Sequence, residues 1–582
     1  MTMQLEKLGA GQTAFLRKSQ ALLQDSRPWK ERLWRAALAA FAFCYTVFFF
    51  GPVELAAYNQ DFLVFSARDA VRLMAIFALL GFAGLTLLLS VLRGRFFNYA
   101  LSVLFAITVG AYLQGNVFNG TLGLLNGEGI AWEKETLAML GNLLGWGAVL
   151  LCVLCLHYFS KPLWRKAISA VCALLVLMQT AALASMALAG LLAPKTQEGT
   201  ASYLSAAHQF EFSRQGNILV ILLDEFDYKF AAGIEAQDPA IYASLDGFTQ
   251  YTNAISSFAR TRPGANAILT GYSDGVYHTP PAEYFANSWT QSGQNLLLDL
   301  SNAGYEVDLY GELGALFGND GTAARYVWNA VGTQDQLDAP SLVKSLLELS
   351  AYRYAPIALK PFFWSYTGDI NNQTAADSDI YRFDDAAYWE GIANAQVTLD
   401  RNCFKFYHME GAHHPYTLGR DGQRSDTTTN PLIQSEGCFR ILMKLFAWMK
   451  EAGIYKDTAI IITADHGHAL SFEEPLSDAV RIGLFYKPAG CEGTPFATSD
   501  APVSNSNIRA TVLKNAGLDY SAYGPALDEV QPGQAVERFF YKTVGPDSRE
   551  KTLYIYRVGT DASDFSSWEL IGSEPVDAPF FG

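Results

Sequence analysis

Five apolar stretches dominate the first third of the chain, at 34–53, 70–92, 96–114, 138–159 and 167–193. Each approaches the ~20 residues that a helix needs to cross the hydrocarbon core of a bilayer. One such stretch alone fits a buried core helix; five in succession, separated by short charged loops, predict a membrane domain over 34–195. Charge then orients it. Lys7, Arg17, Lys18, Arg27, Lys30, Arg32 and Arg35 precede the first stretch, Arg93 and Arg95 follow the second, and Lys161, Arg165 and Lys166 follow the fourth. The alternate loops carry Glu54, Asp61, Asp69, Glu128, Glu133 and Glu135 against only Arg68 and Lys134. Basic loops stay inside, so residues 1–33 are expected in the cytoplasm and everything beyond residue 195 outside the cytoplasmic membrane. No small-residue cleavage site clearly follows the first stretch, which is therefore expected to remain as an anchor.

Past a linker at 196–216 the pattern shortens. "NILVILLDEF" (217–226) is a continuous apolar run too short for a helix and ends in acids, as a parallel strand buried on both faces does. Similar runs recur at 305–311, 403–409, 458–464 and 481–487, with helical periodicity between them at 291–303, 340–350, 384–400 and 431–453. Strands alternating with helices predict an α/β domain over 217–530 with a mainly parallel sheet. From 531 to 582 short segments such as "RFFYKT" and "TLYIYRVG" predict a small antiparallel sheet.

The net charge of −15 and the lack of clustered Lys and Arg in the outer domain exclude a nucleic-acid binder. Four of the seven cysteines fall in the apolar stretches; Cys403, Cys438 and Cys491 admit one disulfide at most and form no framework.

The chemistry gathers where predicted strands end. Asp224 and Glu225 end the first, Asp465, His466, Gly467 and His468 end a late one, and "HMEGAHHPY" (408–416) adds His408, His413 and His414. Carboxylates and imidazoles at neighbouring carboxyl ends point into one crevice, where like charges call for a cation. Oxygen and imidazole donors without thiolate suit Mn²⁺, Zn²⁺ or Mg²⁺. Gly467 is expected to provide the turn that frees the side chains before it. Taken singly, Asp224 reads as a helix cap and each histidine as a satisfied or solvated side chain. Thr261, in "SFARTRPGANAILTGY" (257–272), reads either as a helix cap or as a nucleophile whose hydroxyl a metal activates.

Several segments together resemble a known family. "NILVILLDE" and "ADHG" resemble the metal-binding motifs of the sulfatase and alkaline phosphatase superfamily; "TRPGANAILTG" resembles its nucleophile signature, "GAHHPY" its Gly-x-His-x-Pro-Tyr motif, and 503–518 its late helix. The order is consistent over about 217–525. The resemblance implies metal ligation by Asp224, Thr261, Asp465 and His466, with Glu225 a weaker candidate, catalysis by Thr261 and His413, and substrate contacts from Arg260, Arg262, His408, His414 and His468. Sulfatases convert a Cys or Ser nucleophile to formylglycine, which threonine cannot become. Ala265 replaces the signature's arginine and Asn507 a common aspartate.

A threonine nucleophile behind five spans is similar to the lipoteichoic acid synthase and phosphoethanolamine transferase branches. That similarity implies a divalent metal, Mn²⁺ first, and transfer of phosphoglycerol or phosphoethanolamine from a membrane phospholipid to a surface glycan or glycolipid in the cell envelope. A phosphodiesterase or related hydrolase on the same site, and a non-catalytic lipid-binding regulator, stand as alternatives. A transporter is disfavoured by spans without charges along a solute path.

Overall fold

A computed structural model describes residues 28–60, 63, 65–120, 132–193, 203–290, 295–318, 322–331, 337–365, 370, 374, 380–381, 383–468, 476, 480–545 and 550–580. Residues 1–27 of the expected cytoplasmic segment, and 196–202 of the expected linker, lie outside these.

Five helices are long and apolar enough to cross a membrane: α1 Trp29–Tyr58, α2 Ala67–Val91, α3 Gly94–Phe118, α4 Thr136–Phe159 and α5 Lys161–Leu188. They overlap the five apolar stretches and suggest a membrane anchor. Ser66 starts α2 in a reciprocal capping box with Asp69, satisfying helix N–H groups at its mouth.

The compact units do not follow chain order. Residues 1–195 and 336–376 form one unit; 196–335 and 377–582 form the other. The sequence pattern assigned 340–350 to the α/β alternation within a continuous 217–530, but helix Ala339–Tyr354 belongs to the first unit. Arg353 there pairs with Glu54 at 2.6 Å. The Arg353 carbonyl accepts from Asn119, which accepts from Gln114, and Gln114 in turn accepts from Asn142 and Trp146. Periodicity reports that a helix forms; it carries nothing about which apolar surface the helix will cover.

The second unit is built on a seven-stranded sheet. Its strands are β1 Asn217–Leu223, β2 Thr249–Tyr251, β3 Glu306–Tyr310, β4 Cys403–Met409, β5 Thr458–Thr463, β6 Phe485–Lys487 and β7 Ala497–Ser499. Their order is β7-β2-β6-β5-β1-β4-β3. All contacts are parallel except those of β6, which runs against β2 and β5. Every residue of β1, β4 and β5 is buried, as expected of strands covered on both faces. The three-residue β2 and β7 are too short to leave a periodic signal. The helix expected over 384–400 stops at Gly391; Gln396–Leu399 instead pairs in parallel with Glu211–Ser213. Phe539–Val544, Thr552–Arg557 and Glu569–Pro575 form the antiparallel C-terminal sheet. Its first strand meets the chain just before Thr261, with the Tyr541 N–H on the Ser257 carbonyl at 2.8 Å.

All seven cysteines are free thiols, with Cys403 and Cys438 buried apart from one another in the core. Within the sheet, the fully buried Lys405 of β4 holds the equally buried Asp308 of β3 at 2.7 Å. Removing one partner of a buried pair strands the other charge, so Lys405→Met is expected to cost about 3–5 kcal/mol. Thermal unfolding of the detergent-solubilised chain checks this; an unchanged melting temperature would contradict it.

Candidate metal centre

Strand register brings the site together. Leu223 lies opposite Met409, and Leu222 opposite Thr463. Asp224, the Glu410 turn and Asp465 therefore leave the sheet at one carboxyl edge, where open α/β sheets bind ligands. Asp224 is not a helix cap: Asp227 caps the next helix, accepting from the Lys229 N–H at 2.8 Å. Thr261 is not a cap either. Arg260 is the N-cap of helix Thr261–Thr270, and the Thr261 hydroxyl lies 3.2 Å from His466 Nε2.

His466 Nδ1 faces the Gly467 carbonyl at 2.8 Å. A carbonyl can only accept, so Nδ1 carries a proton and Nε2 is the nitrogen that faces Thr261 and Asp465. Asp465 Oδ2 is 3.3 Å from that nitrogen. Donors bound at ~2.1 Å to a tetrahedral ion stand about 3.4 Å apart, so these spacings suit a shared cation. Donor atoms of Asp224, Asp465 and His466 all lie within 4.8 Å of one another. Asp224 Oδ1 and Asp465 Oδ2 are buried without a hydrogen-bond partner, a cost that a divalent ion would remove. The residues fit a divalent metal ion and could hold one.

The electrostatics agree. Burial raises the Asp465 carboxyl, and the charge of Asp224 raises it further. Burial also pushes Asp224 up, but His413, His408 and His466 outweigh it and hold Asp224 below the ordinary carboxylate range. For His413 and His466, burial favours the neutral ring, yet the surrounding carboxylates win and raise both. Without a cation, the imidazoles must supply the positive charge.

Several neighbours orient these groups. His408 Nε2 donates to Asp224 Oδ2 at 3.0 Å, leaving Oδ1 facing the crevice. His413 Nδ1 donates to the His414 carbonyl at 2.5 Å, so Nε2 is its nitrogen available for chemistry; His414 stacks on it at 4.4 Å. Glu225 stands aside from the cluster. Its carboxylate is engaged by His468 Nδ1 at 2.7 Å, while its backbone N–H donates to Asp465 Oδ1 at 3.1 Å. The left-handed turn falls on Glu225, φ 56°, and not on Gly467 as expected. Arg260 and Arg262 are both buried and neither is a solvated surface charge.

Other supports left no signal in the sequence. Ser256 donates to the Asp465 carbonyl at 2.5 Å, and Asn505 to the Ala464 carbonyl at 2.7 Å. A Cβ at Gly264 would stand 2.7 Å from the Asp465 carbonyl oxygen, and one at Gly411 would stand 2.4 Å from the Asp224 nitrogen. The Thr261 helix and the Glu410 turn thus approach the two acids closely. Asp385 accepts from the Glu410 and Gly411 N–H groups at 3.0 and 3.2 Å, and from the Cys438 thiol. Its place in "FDDAAYW" reads only as a helix start. Asn507, at the position of the common aspartate, accepts from the Ser504 N–H and donates to the Pro525 carbonyl, a structural role.

The parallel sheet thus gathers acids, imidazoles and the Thr261 helix at its carboxyl edge, an arrangement suited to metal-assisted chemistry. The sulfatase family model matches residues 216–518, and the chain belongs to that family. Among solved structures it is similar to an alkaline phosphatase superfamily protein from Vibrio parahaemolyticus, with 12% identity over 65% of this chain and 85% of that one, TM-score 0.37. It is also similar to lipoteichoic acid synthase LtaP from Listeria monocytogenes, with 13% identity over 63% and 86%, TM-score 0.33. The phosphonate monoester hydrolase of Silicibacter pomeroyi matches at 15% identity over 59% and 87%, TM-score 0.34. No curated protein matches.

Two outcomes follow from this geometry. His408→Ala frees Asp224 to rotate and is expected to weaken Mn²⁺ binding about 10–100-fold in a calorimetric titration; unchanged affinity would show that Asp224 is oriented otherwise. Burial raises the Asp385 carboxyl from 3.8 to about 6. Between those values the native state keeps a proton that the unfolded chain has lost, so this group's contribution to stability is complete below 3.8 and lost as pH rises through about 6. Relative to Asp385→Asn, the wild type is therefore expected to lose roughly 2 kcal/mol between pH 4 and 7. Parallel melting curves for the two proteins would refute the assignment.

Proposed function

We propose that the protein transfers a phospho-alcohol, phosphoglycerol or phosphoethanolamine, from a membrane phospholipid to a surface glycan or glycolipid. The observation that carries this reading is the Thr261 hydroxyl, 3.2 Å from Nε2 of His466 and beside two acids whose buried oxygens have no hydrogen-bond partner among the described residues. A hydroxyl needs such surroundings only if it is to become a nucleophile.

Asp224, Asp465, His466 and Thr261 would hold the ion, Mn²⁺ in this reading. When bound, it supplies positive charge that lowers the hydroxyl pKa and offsets charge gathering on the phosphoryl oxygens. Thr261 enters the reaction as its alkoxide, the hydroxyl proton having passed to solvent, and Oγ1 forms a bond to phosphorus while the bond from phosphorus to the diacylglycerol oxygen breaks; it leaves as the same alkoxide in the second step. The proton raised onto His413 passes from Nε2 to that leaving oxygen. An acceptor hydroxyl then gives its proton back to His413 and displaces Thr261, restoring the enzyme. Arg260 and Arg262, buried at the start of the nucleophile helix, are assigned to phosphate oxygens together with the partial positive charge of the helix N-terminus. His414 flanks His413. His408 and His468, already committed to Asp224 and Glu225, are assigned to holding those carboxylates rather than to touching substrate.

The five-helix anchor suits a donor that does not leave the bilayer. Its basic loops support an N-terminus in the cytoplasm and a catalytic domain outside.

Full-length protein incubated with Mn²⁺ and headgroup-labelled phosphatidylglycerol or phosphatidylethanolamine is expected to acquire label on Thr261, seen by peptide mass spectrometry. Thr261→Ala is expected to lose the adduct and on the order of 10³-fold or more in turnover. An active Thr261→Ala protein would refute the mechanism. Release of free phospho-alcohol alone, whatever acceptor is offered, would make the protein a hydrolase.

A further inference from the structure

A second convergence of donors lies away from the Thr261 site, on the edge strand β3. His208 Nδ1 stands 3.3 Å from Glu306 Oε1 and 3.8 Å from Asp308 Oδ1. Both carboxylates are more than nine-tenths buried, with side chains 6% and 0% exposed. Glu306 Oε1, Asp308 Oδ1 and His208 Nδ1 are buried atoms without a hydrogen-bond partner.

Residues 306 and 308 are two apart on one strand and so point to the same face of the sheet. Lys405, directly opposite Asp308 in register, binds Asp308 Oδ2 at 2.7 Å and leaves Oδ1 turned toward Glu306 and His208. It also donates to the His208 carbonyl at 2.8 Å, pinning that residue in a left-handed backbone conformation, φ 59°. One ammonium facing two buried carboxylates leaves a net negative charge that burial does not tolerate. The Glu306 carboxyl is accordingly raised, first by burial and then by Asp308.

We propose that His208, Glu306 and Asp308 bind a second divalent cation, separate from the catalytic centre. Donors bound at ~2.1 Å lie about 3.4 Å apart across a tetrahedral ion and somewhat farther apart across wider angles, close to the 3.3 Å spacing and spanning the 3.8 Å one. One imidazole with two carboxylates suits Zn²⁺ or Mn²⁺. The carboxylate whose second oxygen is held by Lys405 has the outer hydrogen bond expected of a metal ligand. His208, with 35% of its side chain exposed, leaves a path from solvent. The ion would tie the segment leading into β1 to the edge strand β3, so its role is to fasten the sheet and not to act on substrate. The competing occupant of the positive position is a protonated His208 ring, which would need no metal.

Full-length detergent-solubilised protein, stripped by chelator and re-equilibrated with Zn²⁺ or Mn²⁺, separates these by metal content after dialysis. Wild type is expected to hold two ions per chain, His208→Gln one, and Asp465→Asn one. Glu306→Gln repeats the His208 arm should that variant misfold by circular dichroism. Wild type is also expected to melt higher with metal than His208→Gln with metal. If His208→Gln and Glu306→Gln both hold as many ions as wild type, the proposal is overturned and the imidazolium reading stands. An Asp465→Asn protein that keeps both ions while His208→Gln loses one supports this site and speaks against the catalytic-centre reading.

Discussion

Two buried carboxylates facing one another, Asp224 and Asp465, are the constraint around which the outer unit is arranged. Each ends a buried strand, and each keeps an oxygen with no hydrogen-bond partner among the described residues. Like charges at that distance in a poorly polarisable interior repel by several kcal/mol unless a cation stands between them. The imidazoles of His408, His413 and His466 supply part of the answer, but their placement is that of ligands and supports. One turns Nε2 toward Thr261, one fixes a carboxylate, and one holds Nε2 clear of its own backbone bond.

The surrounding structure gives up side chains to achieve this convergence. Gly264 and Gly411 are sites where any Cβ would strike the backbone of an acid or of its neighbour. Glu225 accepts a left-handed conformation that costs a non-glycine residue roughly 1–3 kcal/mol. Ser256 and Asn505 hold carbonyls at the end of β5, so the loop carrying Asp465 is fixed from two directions. The result is a hydroxyl held in place, the preorganisation that the proposed reaction calls for.

The first unit reflects a different use of the same chain. A segment from the middle of the sequence, 336–376, joins helices from its beginning through the Glu54–Arg353 pair and a ladder of amides, Gln114, Asn119 and Asn142. Amide ladders of this kind satisfy polar groups that would otherwise face hydrocarbon.

Much of this was legible in the residues. The five apolar helices and the buried strands could be read from local composition, because span length and strand burial are properties of neighbouring residues; that Asp224, Thr261, Asp465 and His466 lie near one another was expected from the strand ends and from the order of the family's motifs. The three-residue strands β2 and β7, the fate of 340–350, and the supports Ser256, Asn505 and Asp385 could not, since their meaning lies in partners tens to hundreds of positions away. The cluster of His208, Glu306 and Asp308 is the clearest case. Nothing near His208 marks it as a ligand, and only the pairing of β3 with β4, which sets Lys405 opposite Asp308, turns three ordinary residues into a charged pocket. Sequence by itself determined which side chains were present and which short stretches were apolar; tertiary packing decided which charges had to meet, because burial makes the energy of a charge depend on what lies across space from it.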